Sequence, residues 1–562
     1  MDRTSIPADE ITDAEEAELQ TLTPEQVEER IRQHNAETDL SLSPTKKLAL
    51  TVPIHYIFHE GRWQRLSAPR NGGDKNYLEY VYKRPRDLMK CIFGITFIIW
   101  GNLAGNALQF GVFVQRAIHP SCGEAGGCVN RGYVVAWGVA VLTVCALLNV
   151  ATRKHTMGLN NIFAVMKLAF VAFVVVAGII YGSLHGDGCR SIAWEPIDRR
   201  DTASFGDIAL ALFFAMYPYT GYEQPFYVLA EASRPRETFP KATMYAMLSV
   251  LILFPLANVS YLCMNPYTGN VNLPENMALA FVSRLSGVPQ GQEDPVGIRV
   301  VSILLAFFIF GNLMAQTYTA SRVKQEVAKE GILLWSMFFA KGNDTLFSRI
   351  GSSSGRRNNP YRGGGDARAI HDLDGHREQA PFAATGLHWL FEILLLLVFG
   401  LTMEPSAAYG GLTYIYTYTI VGILGLLTAA GLLYLKADGW VRGPRGRKWR
   451  QKSVWQPWLD PLPVTVATVG LGFMLVAAFA KLSEGKQREW PWWVAPSVGV
   501  LASIGLGFLW WCGLQFVQWA GRWKLETQRL PVVEVDELGH AIQKAELVEH
   551  IRVPVEGNTG KD

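Results

Sequence analysis

The sequence has few of the features that mark an enzyme. Its seven cysteines are scattered singly without the spacing of a zinc site, and no glycine-rich phosphate loop or nucleophile triad is found. Only 18% of its 562 residues are charged, whereas 49% are hydrophobic and 12% are aromatic. We therefore expect no enzyme, cofactor or metal site. The small net charge of +3 gives no reason to expect a nucleic-acid partner.

The acidic N-terminal segment MDRTSIPADEITDAEEAELQ lacks the basic start and apolar stretch of a cleaved signal peptide. Apolar stretches of about 20 residues, long enough to cross a bilayer, recur after about Asp87. We expect the first of them to direct insertion of a polytopic membrane protein. The predicted spans are roughly Leu88–Val114, Tyr133–Val150, Leu159–Gly182, Phe205–Leu229, Thr243–Cys263, Val300–Thr319, Ala384–Met403, Leu412–Leu435, Val464–Ala480 and Trp493–Phe516.

Lysine and arginine alternate between the two sides of these ten spans. The loops at 117–132, 182–204 and 404–411 hold few of them. By the positive-inside rule, the basic blocks lie in the cytoplasm, and so do both termini. These blocks are Arg62–Arg86, Arg153–His155, Arg234–Lys241, Arg322–Arg377 and Arg442–Lys452.

The distribution of charge predicts three regions. Residues 1–86 form a cytoplasmic N-terminal tail, residues 87–519 form the transmembrane domain with a cytoplasmic loop near 321–383, and residues 520–562 form a C-terminal tail. The loop is rich in Gly, Ser and Arg and is expected to be flexible. The C-terminal tail is either a short amphipathic helix or a solvated segment, and both interpretations stay open.

Lys167 is a charged residue inside the apolar stretch NNIFAVMKLAFVAFVVVAGIIYG. A charge at bilayer depth costs a few kcal/mol, so it usually faces a protein interior, a partner or water. Alternatively, the side chain can snorkel, because Lys167 lies only about 12 Å from the cytoplasmic end of its predicted helix. The residues alone leave both interpretations open.

The fourth predicted span, ALFFAMYPYTGYEQPFYVLAE, contains two prolines and a glycine together with Glu223 and Gln224. Pro218, Gly221 and Pro225 interrupt a helix and free backbone groups that lipid cannot satisfy. Discontinuous helices of this kind bring half-helix ends to a substrate near the membrane midplane. The alternative is a proline kink that neighbouring helices absorb.

Four motifs in order resemble a transporter family: GGDKNYLEYVYKRPR, the span with its lysine, FAMYPYTGYEQPFYVLAE with ASRPRETFPKA, and TASRVKQEVAKEGILLW. They are similar to fungal amino-acid permeases of the amino acid, polyamine and organocation superfamily, L-type branch, and most like high-affinity methionine permeases. The resemblance covers about residues 72–519. It implies an all-α, twelve-helix transporter fold with two inverted repeats and two broken helices around the substrate.

The resemblance also implies roles for individual residues. Lys167 matches a lysine that replaces a sodium ion or takes part in proton coupling, and Asn312 and Gln316 are pathway candidates. The basic residues Arg322, Lys324 and Lys329 are interpreted as topogenic charges rather than ligands. Substrate binding or gating is implied for Ala215, Tyr217, Tyr219, Thr220, Gly221, Tyr222 and Glu223.

The sequence departs from the family before Asn71. Two helices that precede the GGDKNYLEYVY motif in the family have no counterpart, because the longest apolar run there, about Leu48 to Phe58, is too short to span. About ten helices are therefore expected instead of twelve, with an open groove lined by Lys167 and the Tyr217 region. A mis-spliced permease, a natural isoform and a divergent paralogue all explain this departure.

Two smaller groups of residues have two interpretations each. Cys122, Cys128 and Cys189 fall in predicted outside loops, where they form a disulfide or stay free; the other four, Cys263 among them, are interpreted as packing residues. His388 and Glu392 lie four residues apart on one helical face. They are either a local pair near the membrane interface or a proton relay.

The function that these features favour is proton-coupled import of neutral amino acids, with methionine as candidate, across a fungal plasma membrane by alternating access. The expected partners are the amino acid, protons, the lipid bilayer and ubiquitin-ligase adaptors at the tails. The alternative is a transport-inactive nutrient sensor or regulatory membrane protein. Uptake of labelled amino acid distinguishes these two functions.

Overall fold

The structure is a computed structural model. It describes residues 71–120, 130–184, 205–229, 235–264, 276–287, 295–344, 379–441, 461–477, 479, 501–535 and 541–554. The predictions for residues before 71, including the absence of two helices, concern residues outside these ranges, as do those for Cys122, Cys128 and Cys189.

The described residues are mainly helical. Three tighter or wider helical segments interrupt the α-helices: a 3₁₀ turn at Tyr217–Tyr219 and π-helices at Thr417–Leu424 and Leu501–Gly505. The α-helices are α1 (Asp74–Val81), α2 (Leu88–Trp100), α3 (Ala104–Ile118), α4 (Arg131–Ala151), α5 (Arg153–Leu184), α6 (Phe205–Met216), α7 (Gln224–Tyr227), α8 (Pro235–Met264), α9 (Met277–Leu285), α10 (Pro295–Lys329), α11 (Ser336–Ala340), α12 (Phe382–Thr402), α13 (Pro405–Tyr416), α14 (Gly425–Val441), α15 (Pro461–Ala477) and α16 (Leu506–Ala520).

Seven helical segments within the described residues are long and apolar enough to cross a membrane. They coincide with seven of the ten predicted spans, and they confirm an all-α polytopic membrane protein. The remaining three predicted spans correspond to the broken segment α6–α7, the shorter apolar helix α15 and the terminal helix α16. The seven are Leu88–Ile118, Arg131–Ala151, His155–Leu184, Lys241–Met264, Pro295–Lys329, Phe382–Thr402 and Pro405–Leu435.

The segment α2–α3 lies at the centre of the helical packing. In its most apolar window 83% of residues are buried, against 22% for α5 and for α8. Close packing of α3 on α4 requires Gly111, because a Cβ there would lie 2.3 Å from the Val134 carbonyl oxygen. The outer faces of α5 and α8 carry exposed apolar side chains, which suits lipid contact.

The C-terminal segment is neither a helix nor simply solvated in its described part. Strands β3 (Trp523–Val535) and β4 (Ala541–Pro554) pair as an antiparallel hairpin. The hairpin contacts the end of α10, where Thr527 Oγ1 donates a 3.3 Å bond to the Glu330 carbonyl and His550 Nε2 lies 2.9 Å from the Lys329 carbonyl. Alternating β-branched and polar residues in VVEV and AIQKAELVEHIRV favour strands over a helix.

Cys263 was predicted to be a packing residue, and this prediction is wrong. Cys263 is disulfide-bonded at the end of α8, whereas Cys91, Cys145 and Cys512 are free. The sequence could not reveal this, because Cys263 sits within an apolar stretch that resembles any other helix end. A short two-stranded sheet, β1 (Asn343–Asp344) with β2 (Gln379–Ala380), precedes α12.

Candidate functional site

The predicted break in the fourth span is present. Helix α6 ends at Met216, the 3₁₀ turn follows, and Gly221 has a φ of +98°, which favours glycine. The chain then re-enters a helix at Gln224. Pro218 lies in the 3₁₀ turn, and Pro225 lies in the first turn of α7. Neither lies in a helix interior, where proline lacks the N–H that donates the backbone hydrogen bond.

Glu223 stabilises this break from within. Its side chain is 4% exposed, and its carboxylate accepts a 3.0 Å bond from the Gly221 amide and a 3.1 Å bond from Gln224 Nε2. The Gln224 amide oxygen in turn accepts a bond from the Thr319 hydroxyl on α10. The break is therefore anchored to α10 as well as to itself.

The GGDKNYLEYVY motif folds as α1 and docks against the same break. Gly72 and Gly73 have φ values of +105° and +42°, and the Gly72 amide donates a 3.1 Å bond to the Tyr227 carbonyl. Asp74 starts α1 close to Glu223. Burial, reinforced by the Glu223 charge, raises the pKa of Asp74 to about 8.

A cavity of about 580 Å³ opens beside the break, between α6–α7, α8, the π-helix of the α13–α14 segment and α15. Its volume is in the range of small-molecule sites, about 300–1,000 Å³. Asp74 and Glu223 give it one acidic side, and most of the remaining wall is apolar. Part of that wall is Met216, Met247, Leu251, Ile420, Leu432 and Met474.

Tyr217 lies on another side of the break. Its hydroxyl donates a 2.9 Å bond to Asn106 Oδ1 on α3. A second cavity of only about 10 Å³, room for about one water, is lined by both residues and by Asn102 and Leu103. The fourth-span break is thereby joined to α2–α3.

The helical segment α2–α3 contains a break of its own, which was not predicted from the sequence. Asn102 bridges it, because its Nδ2 donates to the Ile99 carbonyl at 2.7 Å and its Oδ1 accepts from the Ala104 amide at 3.2 Å. The Leu103 amide donates a 3.3 Å bond to Glu392 Oε1 on α12. The dipeptide Gly-Asn inside IIWGNLAG is the sequence signal that could have located it.

Lys324 was predicted to be a topogenic charge, and the structure corrects this. Its side chain is fully buried, and Nζ lies 2.8 Å from His388 Nδ1. His388 Nε2 lies 3.4 Å from Glu392 Oε1, so the histidine and glutamate belong to a buried cluster rather than to an exposed pair at the interface. Arg322 is buried as well, at 7% exposure. A charge count along the sequence cannot distinguish such inward residues from loop charges.

Several predicted site residues lie away from the large cavity. Lys167 shares the stripe of α5 that packs Phe163 and Phe170 against α10, and it makes no hydrogen bond or ion pair with a described residue. Ala215 and Asn312 are exposed. Gln316 is 6% exposed, and its Nε2 has no hydrogen-bond partner among the described residues.

The predicted residues that line the large cavity are Tyr219, Thr220, Tyr222 and Glu223. Gly221 shapes the backbone between them. Thr428 also lines the cavity, although it was not predicted from the sequence. Its hydroxyl has no hydrogen-bond partner in the described part of the chain. No pattern in GLLTAAGLLYL marks this threonine.

Comparison with known proteins agrees with this architecture. The amino acid permease family model matches residues 63–503. The yeast Saccharomyces cerevisiae high-affinity methionine permease is 27% identical over 274 residues, 48% of this chain and 45% of the relative. The yeast low-affinity methionine permease is 23% identical over 51% of this chain and 50% of the relative.

The human large neutral amino acids transporter small subunit 2 is 23% identical over 269 residues, 48% of this chain and 47% of the relative. The chain thus spans about half the length of the curated relatives that it matches. These relatives are permeases and transporters, which confirms the expectation of a protein that is not an enzyme. The match over residues 63–503 covers well over half of the 562 residues, and the chain belongs to the amino acid permease family.

Proposed function

We propose that this chain carries neutral L-amino acids across the plasma membrane by alternating access, with methionine as the first candidate substrate. The observation that carries the proposal is the cavity of about 580 Å³ at a helix break, which combines an acidic side with an apolar wall. A zwitterion with an apolar side chain needs both surfaces at once.

The acidic side supplies the contact for the substrate ammonium group. Glu223 is the candidate ligand, since a carboxylate held by the Gly221 amide keeps further acceptor capacity for a cation. Asp74, whose pKa is raised to about 8, is protonated at neutral pH and contributes hydrogen bonding rather than a second negative charge. Thr428 is available to donate to the substrate carboxylate.

The apolar wall supports a preference for neutral substrates. Met216, Met247 and Met474 contribute flexible thioether side chains that adapt to different apolar groups. A charged substrate side chain would be buried there without a partner, at a cost of several kcal/mol. We therefore expect methionine and leucine to be better substrates than lysine or glutamate.

Both termini are placed in the cytoplasm in this proposal. The basic blocks of the sequence support the orientation. The disulfide at Cys263 supports it too, because α8 then ends on the oxidising outer side. Recognition of the terminal segments by ubiquitin-ligase adaptors, and proton coupling with Lys167 as the residue implied by the family resemblance, belong to the same proposal.

Uptake of radiolabelled methionine into proteoliposomes that contain the full chain tests the proposal. We expect saturable uptake that leucine competes for and lysine does not. Glu223→Gln should raise the half-saturating concentration about tenfold or more, because a charge-assisted contact is lost. Glu404→Gln is the matched control. This glutamate is exposed and pairs with Arg131 at the start of α4, away from the α6–α7 break.

A properly inserted chain that binds methionine without transporting it would overturn the carrier and favour the nutrient sensor. Equal uptake by Glu223→Gln and by the parent would overturn the assignment of the ammonium contact.

A further inference from the structure

The buried cluster of Lys324, His388 and Glu392 is not explained by substrate binding. All three side chains are within 1% of full burial, and they come from α10 and α12. They do not line the large cavity. Ionisable groups inside a membrane domain are costly to insert, so their retention calls for a role.

The hydrogen bonds of the cluster share one direction. The Lys324 ammonium only donates, so His388 Nδ1 accepts and the imidazole proton sits on Nε2. His388 Nε2 lies 3.4 Å from Glu392 Oε1, but the two groups are not aligned as a hydrogen bond among the described residues. With Lys324 protonated, the cluster therefore holds an ammonium, a neutral imidazole and a carboxylate, with no hydrogen bond yet formed between the last two.

The cluster runs inward from the cytoplasmic side. Lys324 lies five residues before α10 ends at Lys329. His388 and Glu392 follow the start of α12 at Phe382 by six and ten residues, or roughly 9 and 15 Å along the helix. Glu392 is therefore near mid-membrane depth, where it meets the α2–α3 break.

Glu392 also connects to the substrate side. It accepts the Leu103 amide, and Leu103 lines the small cavity together with Asn106 and Tyr217. Tyr217 belongs to the α6–α7 break and bonds Asn106. A change of charge at Glu392 would therefore weaken a contact that holds one break and, through one further hydrogen bond, reach the other.

We propose that Lys324, His388 and Glu392 form the proton-binding relay that couples proton movement to transport in this chain. The inference rests on the proposed carrier function, and it replaces Lys167, the residue implied by the family resemblance, as the site of the coupling proton.

The proton transfer balances within the cluster. The N–H bond at Lys324 Nζ breaks as one forms at His388 Nδ1, and the Nε2–H bond breaks as an O–H bond forms at Glu392 Oε1. The products are a neutral amine, the other imidazole tautomer and a carboxylic acid. Import runs this transfer in reverse: Glu392 takes its proton from the outer side, and Lys324 releases one proton to the cytoplasm when that end of α10 opens, so one proton crosses the membrane in each cycle.

Other titratable groups around the relay are few in the described part of the chain. Cys145 on α4 lies within electrostatic range of Glu392, and Lys324 is the charged neighbour of both other members. Helix α3 contributes the uncharged Leu103 amide. The helices α2, α11 and α13, which also contact α12, bring no charged side chain of the described ranges into interaction range of His388 or Glu392.

The test separates gradient-driven accumulation from exchange. Full-length protein in proteoliposomes is assayed for methionine accumulation under an imposed pH gradient and for methionine counterflow, which needs no net proton movement. Glu392→Gln should reduce gradient-driven accumulation about tenfold while counterflow changes less than about threefold. Glu404→Gln should change neither, and Lys167→Met reports on the competing lysine.

A single substitution can leave a buried partner charge and prevent folding. The double variant Lys324→Met with Glu392→Gln removes both charges at once. It should restore folded protein and counterflow yet remain uncoupled. Gradient-driven accumulation that survives in this variant, or is lost only in Lys167→Met, would overturn the relay.

Infrared spectroscopy tests the relay without transport. Difference spectra of the purified chain between about pH 5 and about pH 8 should contain a carboxylic acid carbonyl band that Glu392→Gln lacks and Glu404→Gln keeps. If the parent has this band, Glu392→Gln lacks it, and the parent does not transport methionine, the proton site stands and the carrier function is rejected. Identical spectra for the parent and Glu392→Gln would reject the proton site itself.

Discussion

The two helix breaks described above each involve a buried glutamate, but the glutamate is placed differently in each. At α6–α7, Glu223 belongs to the break itself, accepts the Gly221 amide and lines the large cavity. At α2–α3, Glu392 comes from another helix, accepts the Leu103 amide and is linked to Lys324 through His388. The first arrangement is local and open to a ligand, whereas the second ties three helices together.

This difference indicates which break is free to change shape. The α6–α7 break can rearrange by exchanging hydrogen bonds among neighbouring residues, with Thr319 as its link to α10. The α2–α3 break lies in the most buried span and cannot move without α10 and α12. We expect the α6–α7 break to change shape when substrate binds. The α2–α3 break should keep the packing of α2–α3, α10 and α12 fixed, and we call this packing the frame. The Tyr217–Asn106 bond joins the two breaks.

The largest effect is expected at the frame. Asn102→Leu removes the side chain that satisfies the Ile99 carbonyl and the Ala104 amide, both inside the membrane domain. Leaving two backbone groups without partners should lower the stability by about 2–4 kcal/mol. Thermal unfolding in detergent measures this loss. The control Asn258→Leu, on the exposed face of α8, should lose little, and equal losses in both variants would contradict the frame.

A somewhat smaller effect is expected at the ligand-facing break. Gly221→Ala places a Cβ at a φ of +98°, where among the described residues only Gln224 Cγ lies within 4 Å, at 3.9 Å. The substitution should therefore cost about 1–3 kcal/mol through backbone strain and not through a steric clash. Gly158→Ala in α5, with no atom within 4 Å, should be neutral or slightly stabilising. Melting temperatures of the pair, with methionine uptake, report the result, and a harmless Gly221→Ala would show that the break is not strained.

The third prediction concerns pH. Because the folded-state pKa of Asp74 is raised from 3.8 to about 8, its contribution to stability is present below about pH 4 and is lost as the pH rises through about 8. Asp74→Asn cannot ionise, so its melting temperature should exceed that of the parent by a few degrees near pH 8 and converge with it toward pH 4. Glu79→Gln on the same helix should keep the profile of the parent. A parallel offset of Asp74→Asn at every pH would refute the assignment.

The smallest effect is expected for the link between the α6–α7 break and α10. Thr319→Val removes the hydroxyl that bonds the Gln224 amide oxygen and should cost about 1 kcal/mol. Thr468→Val is the matched control, since among the described residues that hydroxyl bonds only the Val464 carbonyl of its own helix, at 2.8 Å. Chemical denaturation of the two variants decides whether this link matters. A larger effect at Thr468 would argue against an anchored break.

Much of the membrane architecture could be predicted from the sequence, because bilayer thickness sets the length of each spanning segment independently of the others. Runs of about 20 apolar residues located the spans, and Pro218 with Gly221 located the α6–α7 break. The α2–α3 break was not predicted, because Gly-Asn in an apolar run is a weak signal. The C-terminal hairpin was not predicted, because this segment was interpreted as an amphipathic helix or a solvated segment although its residues favour strands.

The site was predicted less completely, because some of its residues come from distant parts of the chain. Tyr219, Tyr222 and Glu223 are adjacent in the chain and were found together, whereas Asp74 joins them from a segment about 150 residues earlier. Lys324 looked like one of many loop charges, and only the packing of α10 against α12 shows that it faces His388.

The sequence by itself determined that this chain is a polytopic membrane protein with a ruptured fourth span, because the cost of exposing polar groups to lipid is paid locally, residue by residue. Only the tertiary structure decided which polar groups meet across helices, that Glu392 holds the Leu103 amide and that Glu223 faces a cavity. Those contacts depend on helix rotation and register, which hydropathy leaves open.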